Sequence, residues 1–184
     1  GSIQNLNSEQ RFSYIQCAIN YANHGDIIQI EHGTYRENIT IDKDLILQSV
    51  DPNDPYCIGS TIIQGSNDSS VVTLQENPAA CEIAGLTIRA GSIGITSIAT
   101  DATIRNCRIM DNTTHGLELS RGSSPNLQHC LITSNGQTGI TMIAGPGRGN
   151  PICEPMIENC VIVQNGSASI VGGEPIIVDS IVSQ

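Results

Sequence analysis

Arg108, Asp111, His115, Glu118, Arg121 and His129 are the side chains best suited to proton transfer or anion capture, and they fall on two consecutive repeats of the chain. An imidazole, arginines and carboxylates within mutual reach suit proton abstraction beside a sugar carboxylate. On this reading Arg108, Asp111, His115 and Glu118 are candidate catalytic residues, and Arg121 and His129 candidate binding residues. The plainer account, which the sequence favours, is that these charges solvate an outer surface. Two segments that break the repeat add candidates: Asp51 to Tyr56, with Asp51 and Asp54, and Ala144 to Cys153, with Arg148. Binding residues concentrate on loops held by a rigid scaffold, and these two loops are expected at one corner, walling a groove. Read plainly, both are tolerated surface insertions. Asp42, Asp44, Asp51, Asp54 and Asp68 suit calcium only in the general sense that carboxylates do. Calcium is therefore the one cofactor to consider, and no metal ligand set is assigned. No Cys-x-x-Cys is present to suggest zinc.

The elements that would position these residues are repeats. Ile104-Arg105-Asn106-Cys107-Arg108-Ile109-Met110-Asp111-Asn112 is followed by Leu127-Gln128-His129-Cys130-Leu131-Ile132-Thr133-Ser134-Asn135, then by Ile157-Glu158-Asn159-Cys160-Val161-Ile162-Val163-Gln164-Asn165. Leu86, Cys107, Cys130, Cys160 and Ile181 recur at differences of 21, 23, 30 and 21 in residue number, and Ile39 and Thr61 extend the slot backwards. Apolar and polar residues alternate over two or three positions before a turn residue, which is strand periodicity. A period of about 22 residues with three short strands suits one coil of a parallel β-helix. Three inward columns follow: Cys107 and Ile109 with Cys130, Ile132, Cys160 and Ile162; Leu117 and Leu119 with Ile140, Met142 and Ile170; and Ile104 with Leu127, Ile157 and Ile177. Stacking of such columns makes the core, because no single coil buries its own apolar face. Asn106 and Asn159 suit one tight bend, with Gly85, His129 and Ser180 in their place elsewhere. Asn112, Asn135 and Asn165 suit another. Gly94, Gly116 and Gly139 mark the starts of strands.

Residues 1–6 read as a tag remnant and linker, since Gly1-Ser2 has the look of a protease-cleavage scar, and 7–184 as one domain. Within it, 7–24 read as a capping helix: Phe12, Ile15, Ile19 and Ala22 have helical spacing, Asn7 with Gln10 suits a capping box, and Gly25 follows. Residues 25–184 supply the coils. Ending one strand into a new coil suggests an excised domain.

Ile15-Gln16-x-Ala18-Ile19, then Gly25-Asp26-Ile27-Ile28-Gln29-Ile30, Gly33-Thr34-Tyr35-Arg36-Glu37-Asn38-Ile39-Thr40-Ile41 and Leu45-Ile46-Leu47, resemble the opening segment of right-handed parallel β-helix proteins of the pectin-lyase-like superfamily. The later Asn-Cys copies resemble repeats of bacterial secreted or surface proteins. The resemblance implies an all-β, right-handed single-stranded solenoid of about six to seven coils with an N-terminal helical cap, in a secreted or cell-surface setting. It implies much less about activity. Gly33-x-Tyr35-x-Glu37 resembles the first motif of pectin methylesterases, but that family's later aspartate and arginine motifs are missing. The intact motifs of pectate lyases, polygalacturonases and alginate epimerases are missing too, and Thr114-His115-Gly116 and Arg108-Ile109-Met110 are only fragments.

The 184 residues carry 8 Lys and Arg against 18 Asp and Glu, a net charge of −10. That balance argues against nucleic acid or an anionic membrane as partner. One Phe, four Tyr and no Trp suit a narrow aliphatic core and disfavour a sugar-stacking platform. Of the seven cysteines, Cys107, Cys130 and Cys160 read as small apolar core residues, while Cys57 and Cys81 are spaced to pair. Outward positions turn apolar toward the C-terminus, and Leu131, Val161, Val163 and Val182 would form an exposed stripe. Such patches mark interfaces, here for self-association or for a missing domain. The leading functional expectation is a noncatalytic binding or structural module that meets polysaccharide. The alternatives are a carbohydrate-active enzyme, lyase-like and calcium-assisted, and a self-assembling scaffold.

Overall fold

The computed structural model describes residues 1–75, 80–143 and 151–184. The chain winds into three parallel faces. The first holds strands Asp26–Ile30, Leu45–Ser49, Glu82–Ala84, Thr103–Arg105, Asn126–Gln128, Met156–Glu158 and Ile176–Val178. The second holds Gly33–Arg36, Thr61–Gln64, Thr87–Arg89, Arg108–Met110, Leu131–Thr133, Val161–Val163 and Ile181–Val182. The third holds Ile39–Ile41, Val72–Leu74, Ile93–Ile98, His115–Ser120, Thr138–Ile143 and Ala168–Val171. Each coil gives one strand to each face, so six coils are complete and a seventh has two strands. This is the expected β-helix, with neighbouring strands about 4.8 Å apart.

The core is a set of vertical columns. Ile63, Ile88, Ile109, Ile132 and Ile162 stack on the second face, and each is fully buried. Ile104, Leu127, Ile157 and Ile177 stack on the first, and Leu117, Ile140 and Ile170 on the third, as their alternation required. Two slots in the longest column are corrected by one strand position or more. Gly33, not Ile39, pairs with Thr61, and Ile39 lies on the third face. Ile181 pairs with Val161, so Ser180, not Ile181, continues the cysteine column. The step from Cys160 to Ser180 is 20 in residue number, one less than the 21 to Ile181 that the plain repeat suggested. Val182 therefore pairs with Ile162 and points inward, because a one-residue slip sends a side chain to the opposite face. Leu131, Val161 and Val163 do lie outward, half-buried on the second face.

Each coil turns three times, and from the third coil onward the described turns use a left-handed residue. Gly85, Asn106, His129, Asn159 and Asp179 serve the first corner with φ of 69, 53, 52, 51 and 45°. Asp179, not Ser180, thus takes the asparagine's place in the last coil. Ala90, Asp111, Ser134 and Gln164 serve the second corner with φ of 58, 55, 57 and 54°, and Ala99, Arg121 and Gly172 the third with φ of 52, 54 and 81°. Beside the second corner, Asn112, Asn135 and Asn165 point inward and form a ladder. Asn112 Nδ2 donates to Asn135 Oδ1 at 2.9 Å, and Asn135 Nδ2 to Asn165 Oδ1 at 3.0 Å and to the Ile109 carbonyl at 3.2 Å. Gly116 must lack a side chain here: a Cβ would lie 2.6 Å from the Gly139 carbonyl oxygen and 2.7 Å from Ile132 Cγ2.

The N-terminal end is closed differently from the sequence reading. Helix α1 covers only Ile15–Tyr21, with Ile15, Ala18 and Ile19 buried. Residues expected as linker and helix form strands Ile3–Asn5 and Arg11–Phe12, and Ile3–Asn5 pairs antiparallel with Asp26–Ile30. The expected capping box is absent. Asn5 Oδ1 instead accepts from the Asn7 and Ser8 amides in a turn. The free amides of Ile15 and Gln16 donate to the Glu37 carboxylate at 2.8 and 3.0 Å, so a residue outside the helix does the capping.

All seven cysteines are free thiols; Cys57 and Cys81 are not paired. Cys107, Cys130 and Cys160 stack at the first corner and are buried. Burial, reinforced by Asp44 for Cys81, pushes Cys81 and Cys107 up to about 12 from an ordinary value of 9.0.

Two outcomes are expected. Replacing Asn135 by Ala takes the side-chain acceptor from the Asn112 Nδ2 and backbone N–H and the donor from the Ile109 carbonyl, all in the core, and should cost at least about 2 kcal/mol in urea unfolding. A surface Asn67→Ala should change little. For the thiols the sign is fixed by the raised values. Above pH 9 the unfolded chain loses these protons while the folded chain keeps them, so stability falls as pH climbs from about 9 to about 12. The slope approaches roughly 1.4 kcal/mol per pH unit per thiol. Urea midpoints measured across that window should decline less steeply in Cys107→Ala than in the parent.

Candidate functional site

A run of residues along one coil travels around the whole circumference, and the candidate residues do so. Arg108 lies outward on the second face, half-buried between Thr87 and Leu131. It runs beneath helix α2, Pro55–Ser60, where a Cβ added to Gly59 would lie 3.1 Å from Arg108 Nη1. Asp111 occupies the second corner and Arg121 the third, both exposed. His115 opens its third-face strand, with Nδ1 2.5 Å from Thr138 Oγ1. Glu118 lies mid-strand on the same face, between Thr96 and Thr141. His129 is exposed at the first corner. Only His115 and Glu118 share a face. The ion pairs among the described residues are Arg11–Glu31, His24–Asp44 and Arg105–Glu82, none of which joins two of these candidates. Asp111, Arg121 and His129 each have a structural reason for their place, since each fills a left-handed corner.

The two period-breaking segments lie at different corners. Residues 50–60 connect the first face to the second. Of the second segment, residues 144–150, Arg148 among them, fall outside the described residues, and 151–155 lead into the first-face strand Met156–Glu158. The chain leaves the first face through residues 50–60 and enters it through residues 151–155, so these described residues do not share the expected corner. Asp51 and Asp54 organise their own loop: Asp51 Oδ1 accepts from the Asn53 amide at 3.0 Å, and Asp54 Oδ1 from the Tyr56 amide at 3.0 Å, capping α2. Among the described residues no three His, Cys, Asp or Glu side chains gather as metal ligands. Gly33-x-Tyr35-x-Glu37 serves the cap. Tyr35 donates its hydroxyl to the Glu31 carbonyl at 2.8 Å, Glu37 holds α1, and burial with Glu31 and Glu37 nearby raises the phenol's pKa.

The first face holds what the sequence reading passed over. Glu82, Thr103 and Asn126 form one outward column, and Arg105, Gln128 and Glu158 the next. All six are half-buried. Arg105 Nε donates to Glu82 Oε1 at 2.8 Å, and Asn106 Nδ2 to Asn53 Oδ1 at 2.9 Å, which ties the loop at residues 51–54 to the edge of this face. The signal was available: these residues hold fixed positions two and four before Leu86, Cys107, Cys130 and Cys160.

An alginate lyase from Paenibacillus sp. str. FPU-7 superposes with a TM-score of 0.68 at 18% identity, covering 90% of this chain and 62% of that one. A pectin methylesterase variant in complex with hexasaccharide IV superposes with a TM-score of 0.52 at 12% identity, covering 85% of this chain and 76% of that one. These identities speak to the fold alone. The chain spans 62% of the alginate lyase's length. No curated protein matches it by sequence. The family described as "Right handed beta helix region" matches residues 5–180. Three faces of stacked parallel strands, left-handed corners and that match over nearly the whole chain agree, and the chain belongs to the right-handed β-helix family.

Proposed function

We propose that this β-helix is a noncatalytic binding module of a secreted or cell-surface protein, and that it holds polysaccharide along its first face. The observation that carries this reading is the double column Glu82, Thr103 and Asn126 beside Arg105, Gln128 and Glu158. An extended glycan offers hydroxyls at a regular rise, and the face offers planar hydrogen-bonding groups at the strand repeat of about 4.8 Å. Hydrogen bonding rather than ring stacking suits a chain with one Phe and no Trp. A rigid ladder also loses little conformational entropy on binding. The similarity in fold to a protein described as an alginate lyase and to a pectin methylesterase crystallised with a hexasaccharide supports a carbohydrate partner.

A second reading, a lyase-like enzyme that uses calcium, rests on that same alginate lyase likeness and on Arg108 and His115. Calorimetric titration against neutral and uronic-acid polysaccharides tests the first reading. Affinity should fall at least tenfold in Arg105→Ala and Gln128→Ala, about 1.4 kcal/mol, and hold in the third-face Thr73→Ala. Retention of no glycan overturns it. Release of unsaturated sugar that depends on calcium and vanishes in His115→Ala and Arg108→Ala replaces it with the second.

A further inference from the structure

We infer that the polysaccharide held on the first face is a neutral one, an extended glycan bearing hydroxyls and no carboxylate, and that Glu82, Arg105 and Glu158 enforce the choice; this rests on the first-face reading above and adds the class of its ligand.

Along the two outward columns from Asp26–Ile30 to Met156–Glu158, these three are the charged side chains. The one cation among them is already engaged. Arg105 Nε donates to Glu82 Oε1 at 2.8 Å, and the two side chains are only 27% and 25% exposed. Arg105 Nη1 also reaches Asn53 Oδ1 at 3.5 Å. The Glu158 carboxylate, one coil beyond Gln128, joins no ion pair among the described residues. The face therefore carries one arginine already paired and one carboxylate without a counter-charge. Its border continues the sign: Asp101 and Glu154, exposed where the chain enters the face, outnumber Arg121.

A uronic acid unit differs from its neutral counterpart at C6, where a carboxylate replaces a hydroxymethyl group. A carboxylate only accepts hydrogen bonds. Facing Glu158 it meets a second acceptor of its own charge, and like charges set against each other across a contact cost affinity. To gain a cation it must break the half-buried Arg105–Glu82 pair, which leaves the Glu82 carboxylate uncompensated. A hydroxymethyl group meets neither obstacle. Its hydroxyl donates as well as accepts, so it gives Glu158 a charge-assisted bond and leaves Arg105 in place. Asn126 points the same way. Its Oδ1 is buried and has no donor, and a sugar hydroxyl supplies one when the amide swings outward. The net charge of −10 adds a long-range field that repels polyanions before contact.

Pairs of oligosaccharides of equal length that differ only at C6 test this: glucan against glucuronan, mannan against mannuronan, and methyl-esterified against free galacturonan. Each is titrated calorimetrically with a chelator present, so that no calcium bridges two carboxylates. The neutral member of at least one pair should bind about tenfold tighter than its acidic partner, or better. Glu158→Gln keeps the side chain's shape and removes the uncompensated charge, and Glu82→Gln frees Arg105. Each should narrow that ratio by about threefold or more. Asp68→Asn, which removes a carboxylate from the turn between the second and third faces, should leave the ratio unchanged. An acidic member that binds as tightly as its neutral partner overturns the inference and leaves the glycan site standing. So does a ratio that the two first-face variants do not move, or that Asp68→Asn moves equally. Binding of neither member of any pair overturns both.

Discussion

The structure depends on satisfying backbone groups that the corners bury. A coil of three short strands turns sharply three times, and inside a narrow aliphatic core no water meets the carbonyls left over. At the first corner the stacked thiols meet them. Cys107 Sγ donates to the Arg105 carbonyl at 3.3 Å, Cys130 Sγ to Gln128 at 3.4 Å and Cys160 Sγ to Glu158 at 3.2 Å. Each also reaches a carbonyl one coil below. Ser180 continues the column and does the same, donating to Val178 at 2.7 Å and to Ile157 at 3.3 Å. Serine takes the place of cysteine here because both are small side chains with one donor, while Leu86, lower in the same column, supplies none. At the second corner the asparagine ladder supplies both donors and acceptors, and each amide holds the next coil in register.

That requirement explains why so much of the fold was legible. The Asn-Cys-x-Ile-x-x-Asn frame records two corners and the strand between them, so the period, the inward columns and the coil count followed from it. What was not legible came from outside the repeat. The helix reading over 7–24 failed at its first half because Arg11–Phe12 pairs with the Ile3–Asn5 strand, itself paired with Asp26–Ile30, and a lone helical turn there would gain less. Its true cap, Glu37, lies in another coil. Val182 was misplaced because the last coil closes in one residue less, and in a strand a single residue reverses the side chain.

The candidate site was less legible than the fold for a geometric reason. Residues close in sequence on a solenoid lie around its perimeter, whereas residues that share a surface lie a full coil apart. Arg108, Asp111, His115 and Arg121 span two faces and two corners, while Arg105 and Gln128, distant in sequence, are neighbours on one face. Positive φ at Asp111, Arg121 and His129 further shows that a polar residue can be chosen for its backbone.

The faces differ in a way that propensity alone does not produce. The middle outward column of the third face is largely threonine, with Thr40, Thr73, Thr96 and Thr141 interrupted by Glu118. Threonine is among the residues best suited to a pleated surface, so this column stabilises the coil and explains itself. The first face carries Glu82, Asn126, Gln128 and Glu158 instead, and asparagine and glutamate are depleted in strands. Long polar side chains there cost strand stability that the threonine column shows was attainable in the same coils. Departures from local preference concentrate where a surface has a second task. The first face, tied at its edge to the loop at residues 51–54, is where that departure is most systematic.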